Sequence, residues 1–183
     1  MDKLTLDTNI LRDWAWCEDK SAESRYAQNA EVKRKELKTL FDELTALREA
    51  GVCEIGITTQ LYMDYGTGSN ELPQHIADMI GPYVRVAPPD MFGFPLSFPA
   101  VFPNKEEVQR IFEAVFPYSK PGHRKYYKNR KDAWQLYAHQ AAGRDIFVTE
   151  DKGILWKQSL LTEKCGIQVK SLGEYVLEVN GAA

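Results

Sequence analysis

The chain has 183 residues, 44% of them hydrophobic and 27% charged, with a formal net charge of -3 at pH 7. This length and composition are typical of one globular domain, and they argue against a disordered, fibrous or membrane-spanning protein. Because the acidic balance gives no overall attraction to nucleic acid, a polyanion site would have to be a local basic patch.

The first half of the chain alternates strand and helix signals. A β-prone run over residues 3–6 ends at Asp7, and Thr8 and Asn9 can cap a following helix. Residues 21–50 are rich in charged, helix-forming residues, and their apolar members recur at three- and four-residue intervals. These members are Leu37, Leu40, Phe41, Leu44 and Leu47. The stripe predicts a long helix that either packs on the core or docks a partner helix.

The same alternation continues to the end of the chain. Gly51 ends the long helix, and the later β-prone runs lie at residues 52–57, 84–86, 145–149 and 167–169. Alternating strands and helices are typical of a parallel sheet covered on both faces. We therefore predict a single α/β domain over residues 1–183, with three α/β/α layers, about four or five parallel strands and a helical insertion at about 18–50.

One loop and two further helices are predicted between those strands. Residues 87–103 hold five prolines among aromatic residues, which forbids a helix or a central strand and predicts an extended loop. Asn104 and Glu107 form a capping-box signature for a helix. Its inward-facing residues are Val108, Ile111, Phe112 and Val115. Residues 117–131 are interpreted as an irregular basic segment, and Asp132 as the start of a helix that ends near residue 142.

The three cysteines of the chain indicate the cellular compartment in which the protein is expected. Cys17, Cys53 and Cys165 are far apart and show no C-x-x-C spacing, which favours free thiols in a reducing cytoplasm. The N-terminus lacks the pattern of a signal peptide, and no apolar stretch approaches the roughly 20 residues of a membrane helix. We expect a cytoplasmic protein with no membrane partner.

Four carboxylates lie where a strand is predicted to end or a helix to begin. They are Asp7, Asp64, Asp132 and Asp151. In an open parallel sheet such positions converge on one crevice. Because clustered carboxylates repel one another, they are tolerated around a hard cation such as Mg²⁺ or Mn²⁺, which prefers oxygen ligands. The pattern favours metal-assisted attack on a phosphodiester.

Ordinary structural explanations remain open for these residues. Asp7 and Asn9 are good helix caps, the dipole of a helix would favour Asp132 at its start, and Asp151 suits a turn after a strand. The histidines show no metal-ligand spacing; they are His75, His123 and His139. We interpret His139 as a structural histidine.

Two pieces of the chain carry a family resemblance. The first is Leu6-Asp7-Thr8-Asn9-Ile10-Leu11, and the second runs from Asp132 to Asp151. The second piece combines an Asp-led helix, a glycine turn, a short strand and Thr149-x-Asp151. In this order the two pieces resemble the PIN domain, a family of metal-dependent nucleases. The resemblance implies a PIN-like three-layer fold with a metal site.

The resemblance also implies roles for individual residues. The catalytic set would be Asp7, Asn9, Asp64, Asp132, Thr149 and Asp151. Asp7, Asp132 and Asp151 would be the metal ligands, with Mg²⁺ or Mn²⁺ as cofactor, and the Thr149 hydroxyl would orient a carboxylate or a water. The family usually has Glu where this chain has Asp64, which leaves three interpretations: Asp64 acts through a water, the true partner lies elsewhere in the chain, or Asp64 is an exposed helix residue.

A basic run lies directly before Asp132. It extends from His123 to Lys131 and contains two tyrosines and no acidic residue. Its candidate nucleic-acid-binding residues are Arg124, Lys125, Tyr126, Tyr127, Lys128, Arg130 and Lys131. The cations could hold phosphates while a tyrosine stacks on an unpaired base, and a solvated basic loop is the alternative.

The resemblance implies an endoribonuclease that cuts single-stranded or structured RNA and leaves a 5′-phosphate and a 3′-hydroxyl; DNA stays open as a substrate. A toxin role with an antitoxin partner, and a homodimer, are further expectations. The alternative is a PIN-like module that binds RNA or a protein without cutting. A phosphatase of the haloacid dehalogenase type is disfavoured, because its second Asp would stand where this chain has Asn9.

Overall fold

A five-stranded parallel sheet forms the centre of the protein. The computed structural model describes residues 1–18, 30–59, 74–86 and 105–181. The strands are β1 (Asp2–Leu6), β2 (Cys53–Thr58), β3 (Val84–Val86), β4 (Ile146–Val148) and β5 (Gln168–Lys170). Every neighbouring pair is parallel, and the order across the sheet is β3-β2-β1-β4-β5. This confirms the predicted α/β class.

Helices cover both faces of the sheet, which makes three layers. Those in the described ranges are α1 (Thr8–Glu18), α2 (Ala30–Glu49), α3 (Gln74–Ile80), α4 (Lys105–Val115), α5 (Tyr126–Ala141), α6 (Lys152–Leu155), α7 (Gln158–Cys165) and α8 (Leu172–Gly181). The core of the first face is built from α1, α2, α3 and α8. The core of the second face is built from α4, α5, α6 and α7.

The leucine stripe of α2 lies in the first core. Leu37, Phe41 and Leu44 are buried, and the Trp14 ring of α1 stacks on Phe41 with centroids 4.9 Å apart. The stripe therefore packs inside the protein and is not a surface for a partner helix. Gly51 follows α2 with a φ of 71°, a left-handed conformation that favours glycine.

The second core contains the residues predicted to face inward on α4. Val108, Ile111, Phe112 and Val115 are all buried there, as the spacing predicted. Next to α4 lies α5, and its start differs from the prediction. It begins at Tyr126, not at Asp132, so the last part of the predicted irregular segment is helical.

The earlier start of α5 has a tertiary cause. Lys125 at the N-cap position makes no side-chain capping bond, so local sequence gives no start signal there. Instead, the Tyr126 ring packs edge-on against Phe112 of α4, with centroids 5.7 Å apart. Asp132 therefore lies in the second turn of α5, where Lys128 precedes it by one turn.

A buried arginine ties β1 to β2. The Arg144 guanidinium donates from Nε and Nη2 to the Leu4 carbonyl at 3.1 and 2.8 Å. It also donates to the Glu54 carbonyl at 3.1 Å and to Glu54 Oε1 at 2.8 Å. Gly56 makes room for this group, because a Cβ there would lie 2.6 Å from Arg144 Cζ.

Some predictions fall outside the described residues. They are the Asp64 helix, the proline-rich loop at 87–103 and the first part of the proposed insertion. Cys17, Cys53 and Cys165 are free and buried. Among the helices described above, none has the length and apolar character needed to cross a membrane.

Candidate functional site

The sheet reverses its strand order between β1 and β4. From β1 the chain adds β2 and β3 on one side, whereas β4 and β5 lie on the other. In open α/β sheets, the crevice outside the carboxyl ends of the strands at such a switch point is where ligands bind. Leu6 pairs with Val148 at this edge, so Asp7 and Thr149 emerge side by side.

Asp7 is buried at this edge, with 4% of its surface exposed. Its Oδ2 accepts hydrogen bonds from Thr149 Oγ1 at 2.6 Å and from Asn9 Nδ2 at 3.0 Å. Burial raises the pKa of Asp7, and the charge of Asp151 adds to this, whereas the Thr149 hydrogen bond opposes it. The Asp7 carbonyl also accepts from Ile10 N, so Asp7 lies directly before α1, and the capping interpretation of its side chain stays a prediction.

Thr149 connects Asp7 to Asp151. Its side chain is fully buried, and its hydroxyl donates to Asp7 while accepting the Asp151 backbone N–H at 3.0 Å. Asp151 Oδ1 accepts from Gly153 N at 2.8 Å, which caps α6. Asp151 Oδ2 accepts from Lys128 Nζ at 2.8 Å. The hydroxyl therefore orients a carboxylate, and Asp151 is both a helix cap and a member of the cluster.

Asp132 brings the third carboxylate to the cluster from α5. Its side chain is only 14% exposed, and its Oδ2 lies 3.6 Å from Lys128 Nζ. Burial raises the pKa of Asp132 to about 7, and the charges of Asp7 and Asp151 contribute in the same direction against Lys128. A carboxyl with this pKa is only partly ionised at neutral pH, because burial disfavours its charged form more than Lys128 favours it.

Lys128 is the cation of this cluster. Its pKa is raised overall: burial alone would lower it, but the hydrogen bond with Asp151 and the charges of Asp132 and Asp7 raise it. For the same reason the pKa of Asp151 is lowered, since Lys128 outweighs the effect of burial. In the described part of the site, three carboxylates thus share one ammonium group.

The basic run divides into two kinds of residue. Tyr126 is half-buried against Phe112, and Arg130 donates to its hydroxyl at 3.1 Å. By contrast, Tyr127 is 78% exposed. The exposed cations are Arg124, Lys125, Lys128 and Lys131.

His139 lies on the same helix but outside the cluster. Its Nδ1 is 2.9 Å from Thr5 Oγ1, and its ring packs edge-on against Phe147. Burial lowers the pKa of His139 to about 4, and the charge of Arg144 adds to the effect. These contacts agree with the structural interpretation of this histidine.

Sequence reasoning missed two features of this edge. The ion pair of Lys128 with Asp132 could have been found from their i, i+4 spacing, had the helix start been placed correctly, whereas its ion pair with Asp151 joins two different helices. Thr59, just after β2, is buried, and its hydroxyl has no hydrogen-bond partner among the described residues. A threonine after a strand carries no signal that would distinguish this state from an ordinary helix cap.

The donor set fits a hard divalent cation by its chemistry. Asp7, Asp132 and Asp151 offer carboxylate oxygens, and their described contacts include no thiolate and no imidazole. As the side chains stand, the described ranges contain no group of three His, Cys, Asp or Glu residues arranged to hold an ion. Lys128 engages two of the carboxylates, so a metal ion would have to compete with its ammonium group.

No protein-family model and no curated protein matches this sequence. The resemblance to PIN domains therefore rests on the two sequence pieces quoted above. Asp7, Asn9, Asp132, Thr149 and Asp151 come from these pieces, and they meet at one edge of the sheet.

Proposed function

We propose that the protein is a Mg²⁺- or Mn²⁺-dependent endonuclease that hydrolyses phosphodiester bonds, with single-stranded or structured RNA as its substrate. The observation that carries the proposal is the meeting of Asp7, Asp132 and Asp151 at the β1/β4 switch point around a single ammonium group. The choice of RNA rests on the PIN resemblance alone. The toxin role, the antitoxin or homodimer partner and the cytoplasmic location stay predictions from sequence.

In this proposal the carboxylates of Asp7, Asp132 and Asp151 hold the cation. When bound, it supplies Lewis-acid stabilisation of the phosphate and lowers the pKa of a water. Thr149 and Asn9 fix Asp7, because both donate to the same carboxylate oxygen. The raised pKa of Asp132 reflects mainly its burial, and a bound divalent ion would favour the ionised carboxylate at this position.

Lys128 has a second task in this proposal. Without a cation it neutralises Asp151 and reaches Asp132. When the carboxylates hold a cation, the Lys128 ammonium no longer has to pair with them and can contact a phosphate next to the bond that is cut. The side chain is 58% exposed, so it can make this exchange without disturbing the core.

One observation favours the alternative, a module that binds RNA or a protein without cutting. Lys128 already gives two of the carboxylates a counter-ion. If this pairing persists at millimolar Mg²⁺, the cluster is a salt-bridge network and not a metal site. A metal titration therefore separates the two functions.

The test is cleavage of end-labelled single-stranded RNA, duplex RNA and DNA in Mn²⁺ or Mg²⁺, with a chelator control. Asp7→Asn and Asp132→Asn keep side-chain size but remove a negative ligand. We expect each to lower cleavage by at least the roughly 10- to 100-fold typical of losing a residue that supports a metal ligand. Asp42→Asn, an exposed carboxylate on α2, is the matched control.

Three results would contradict the proposal: cleavage that persists in chelator, full activity in Asp7→Asn or Asp132→Asn, or loss of activity in Asp42→Asn as well. Binding of RNA without cleavage at any metal concentration would support the non-cutting alternative. Products with a 5′-phosphate and a 3′-hydroxyl would agree with the PIN resemblance.

A further inference from the structure

One tryptophan differs from the other three in its surroundings. Trp14, Trp16 and Trp134 are 3%, 5% and 4% exposed, whereas Trp156 is 84% exposed. Trp156 follows the single turn of α6, and its backbone N–H donates to the Lys152 carbonyl. A tryptophan offers a large flat apolar surface, so leaving it in water forgoes stabilisation that burial would supply.

Trp156 lies close to the acidic cluster along the chain and in space. Asp151 caps α6, so Trp156 is about 7.5 Å further along the helix axis at 1.5 Å per residue. The Lys128–Asp151 ion pair of 2.8 Å joins the start of α6 to the first turn of α5. Tyr127, another exposed ring, precedes Lys128 in that turn and is 78% exposed.

Cations lie next to both rings in the sequence. Lys152 and Lys157 flank Trp156, and the sequence holds no acidic residue between Lys152 and Thr162. Arg124 and Lys125 precede Tyr127, and both are exposed. Surfaces that bind an unpaired strand combine exposed aromatic rings with cations. The bases stack on the rings, and the phosphates form ion pairs with the cations.

We propose that Trp156 and Tyr127 are base-stacking residues for single-stranded nucleic acid, with Lys152, Lys157 and Lys125 on its phosphates, on either side of the Lys128–Asp151 pair. The inference rests on the proposed function only in placing the strand at the acidic cluster. It selects an unpaired strand over a duplex, because stacking needs a base whose face is free.

The test uses Trp156 as its own reporter, in chelator so that no strand is cut. Twelve-nucleotide single-stranded RNA and DNA, and a duplex of the same sequence, are titrated against the intact protein while tryptophan fluorescence is recorded. We expect saturable quenching by both single strands and weaker binding of the duplex. Trp156→Phe should lose the quenching but bind within a few-fold of wild type, because phenylalanine also stacks.

Affinity is measured separately by anisotropy of a labelled single strand. Trp156→Ala and Tyr127→Ala should each weaken binding about 5- to 150-fold, which corresponds to one stacked base. Lys152→Gln with Lys157→Gln should flatten the salt dependence by about 0.7 per lost phosphate contact. Leu177→Ala is the matched control, because Leu177 is 72% exposed on α8, in the opposite layer.

Equal affinity of Trp156→Ala and wild type for a single strand would overturn the proposal, as would quenching by the duplex that equals quenching by the single strands. Failure of the proposed function gives a different result. A protein that never cleaves, yet shows the quenching and the loss in Trp156→Ala, keeps the stacking site and loses the nuclease. A protein that cleaves with Trp156→Ala unaffected keeps the nuclease and loses the stacking site.

Discussion

Two regions of the described structure bury charged side chains and treat them in opposite ways. Arg144 lies over β1 and β2, and four hydrogen bonds to Leu4 and Glu54 engage its guanidinium. At the carboxyl edge of the sheet, Asp7, Asp132 and Asp151 share one ammonium. The first region is compensated by its surroundings, whereas the second carries an excess of negative charge.

The two regions differ in how far their described contacts compensate the buried charge. The Arg144 side chain is 4% exposed, and it fits because the neighbouring residue is Gly56, where a Cβ would collide with it. The burial cost is therefore offset by directed hydrogen bonds between two strands. At the carboxyl edge, burial raises the pKa of Asp132 although Lys128 opposes the rise, so the described contacts compensate this charge less fully.

The largest expected effect is the loss of the Arg144 network. Arg144→Met keeps the length of the side chain but leaves the Leu4 carbonyl and the Glu54 carboxylate without their donor. We expect a loss of about 3–5 kcal/mol in the free energy of unfolding, the range for breaking a buried charged pair. Urea unfolding measures it. Arg12→Met, at an exposed arginine on α1, should change stability by about 0.5 kcal/mol or less.

If Arg144→Met and Arg12→Met were equally mild, the guanidinium would contribute no net stabilisation, and the contrast between the two regions would fail. If Arg144→Met also abolished metal-dependent cleavage in a protein that remains folded, Arg144 would belong to the functional region. We expect the folded fraction to keep its activity, because the described Arg144 contacts lie away from the cluster.

A second prediction concerns His139, which lies beside Arg144. Its pKa is about 4 in the folded protein against 6.5 when unfolded, so the unfolded chain takes up the proton first as pH falls. With respect to His139, the folded protein has its full stability above pH 6.5 and loses stability as the pH falls towards 4. At 1.36 kcal/mol per pH unit, the free energy of unfolding falls by on the order of 3 kcal/mol over this range.

His139→Gln should remove most of this acid-dependent loss, because glutamine keeps a polar partner for Thr5 and takes up no proton. The measurement is the urea midpoint at a series of pH values between 7 and 4. His123→Gln, at an exposed histidine, is the control for the same substitution outside the core. If the urea midpoint falls equally with pH in wild type and in His139→Gln, a group other than His139 causes the loss of stability at low pH.

Most of the sheet and its order of elements could be predicted from the sequence. The strand near Val84 has the predicted bounds, and the others differ by one or two residues at their ends. The periodicity of α4 also predicted its buried face, because tightly spaced apolar residues leave few alternatives. The start of α5 could not be predicted, since it depends on the contact of Tyr126 with Phe112, which are distant in sequence.

The carboxylates of the candidate site could be predicted from the sequence, but their pKa shifts could not. Asp7 and Asp151 stand out because they follow β1 and β4, whose ends meet at one edge, whereas Asp132 was predicted from a helix start that lies at Tyr126 instead. Their opposite pKa shifts depend on burial and on the position of Lys128, and neither quantity is written in the local sequence. Trp156 gave no signal at all, because one tryptophan among helix-forming residues is usually buried.

The smallest expected effects separate members of the acidic cluster from one another. At pH 8 without metal, Asp132→Asn should raise the free energy of unfolding by about 1–2 kcal/mol, because it removes a buried charge whose pKa is raised to about 7. Asp151→Asn should lower it by about 0.5–1 kcal/mol, because its charge is stabilised by Lys128 and the start of α6. The two changes are chemically identical and differ only in surroundings.

Urea unfolding in chelator, with Asp42→Asn as an exposed control, gives the sign of each effect. Mg²⁺ added to wild type should then raise its stability by mass action, and the gain should be smaller in Asp132→Asn if Asp132 binds the ion. Destabilisation by Asp132→Asn equal to that by Asp151→Asn would make Asp132 an ordinary partner of Lys128. The carboxyl edge would then be as fully compensated as the Arg144 region, and the reason to place a metal there would be gone.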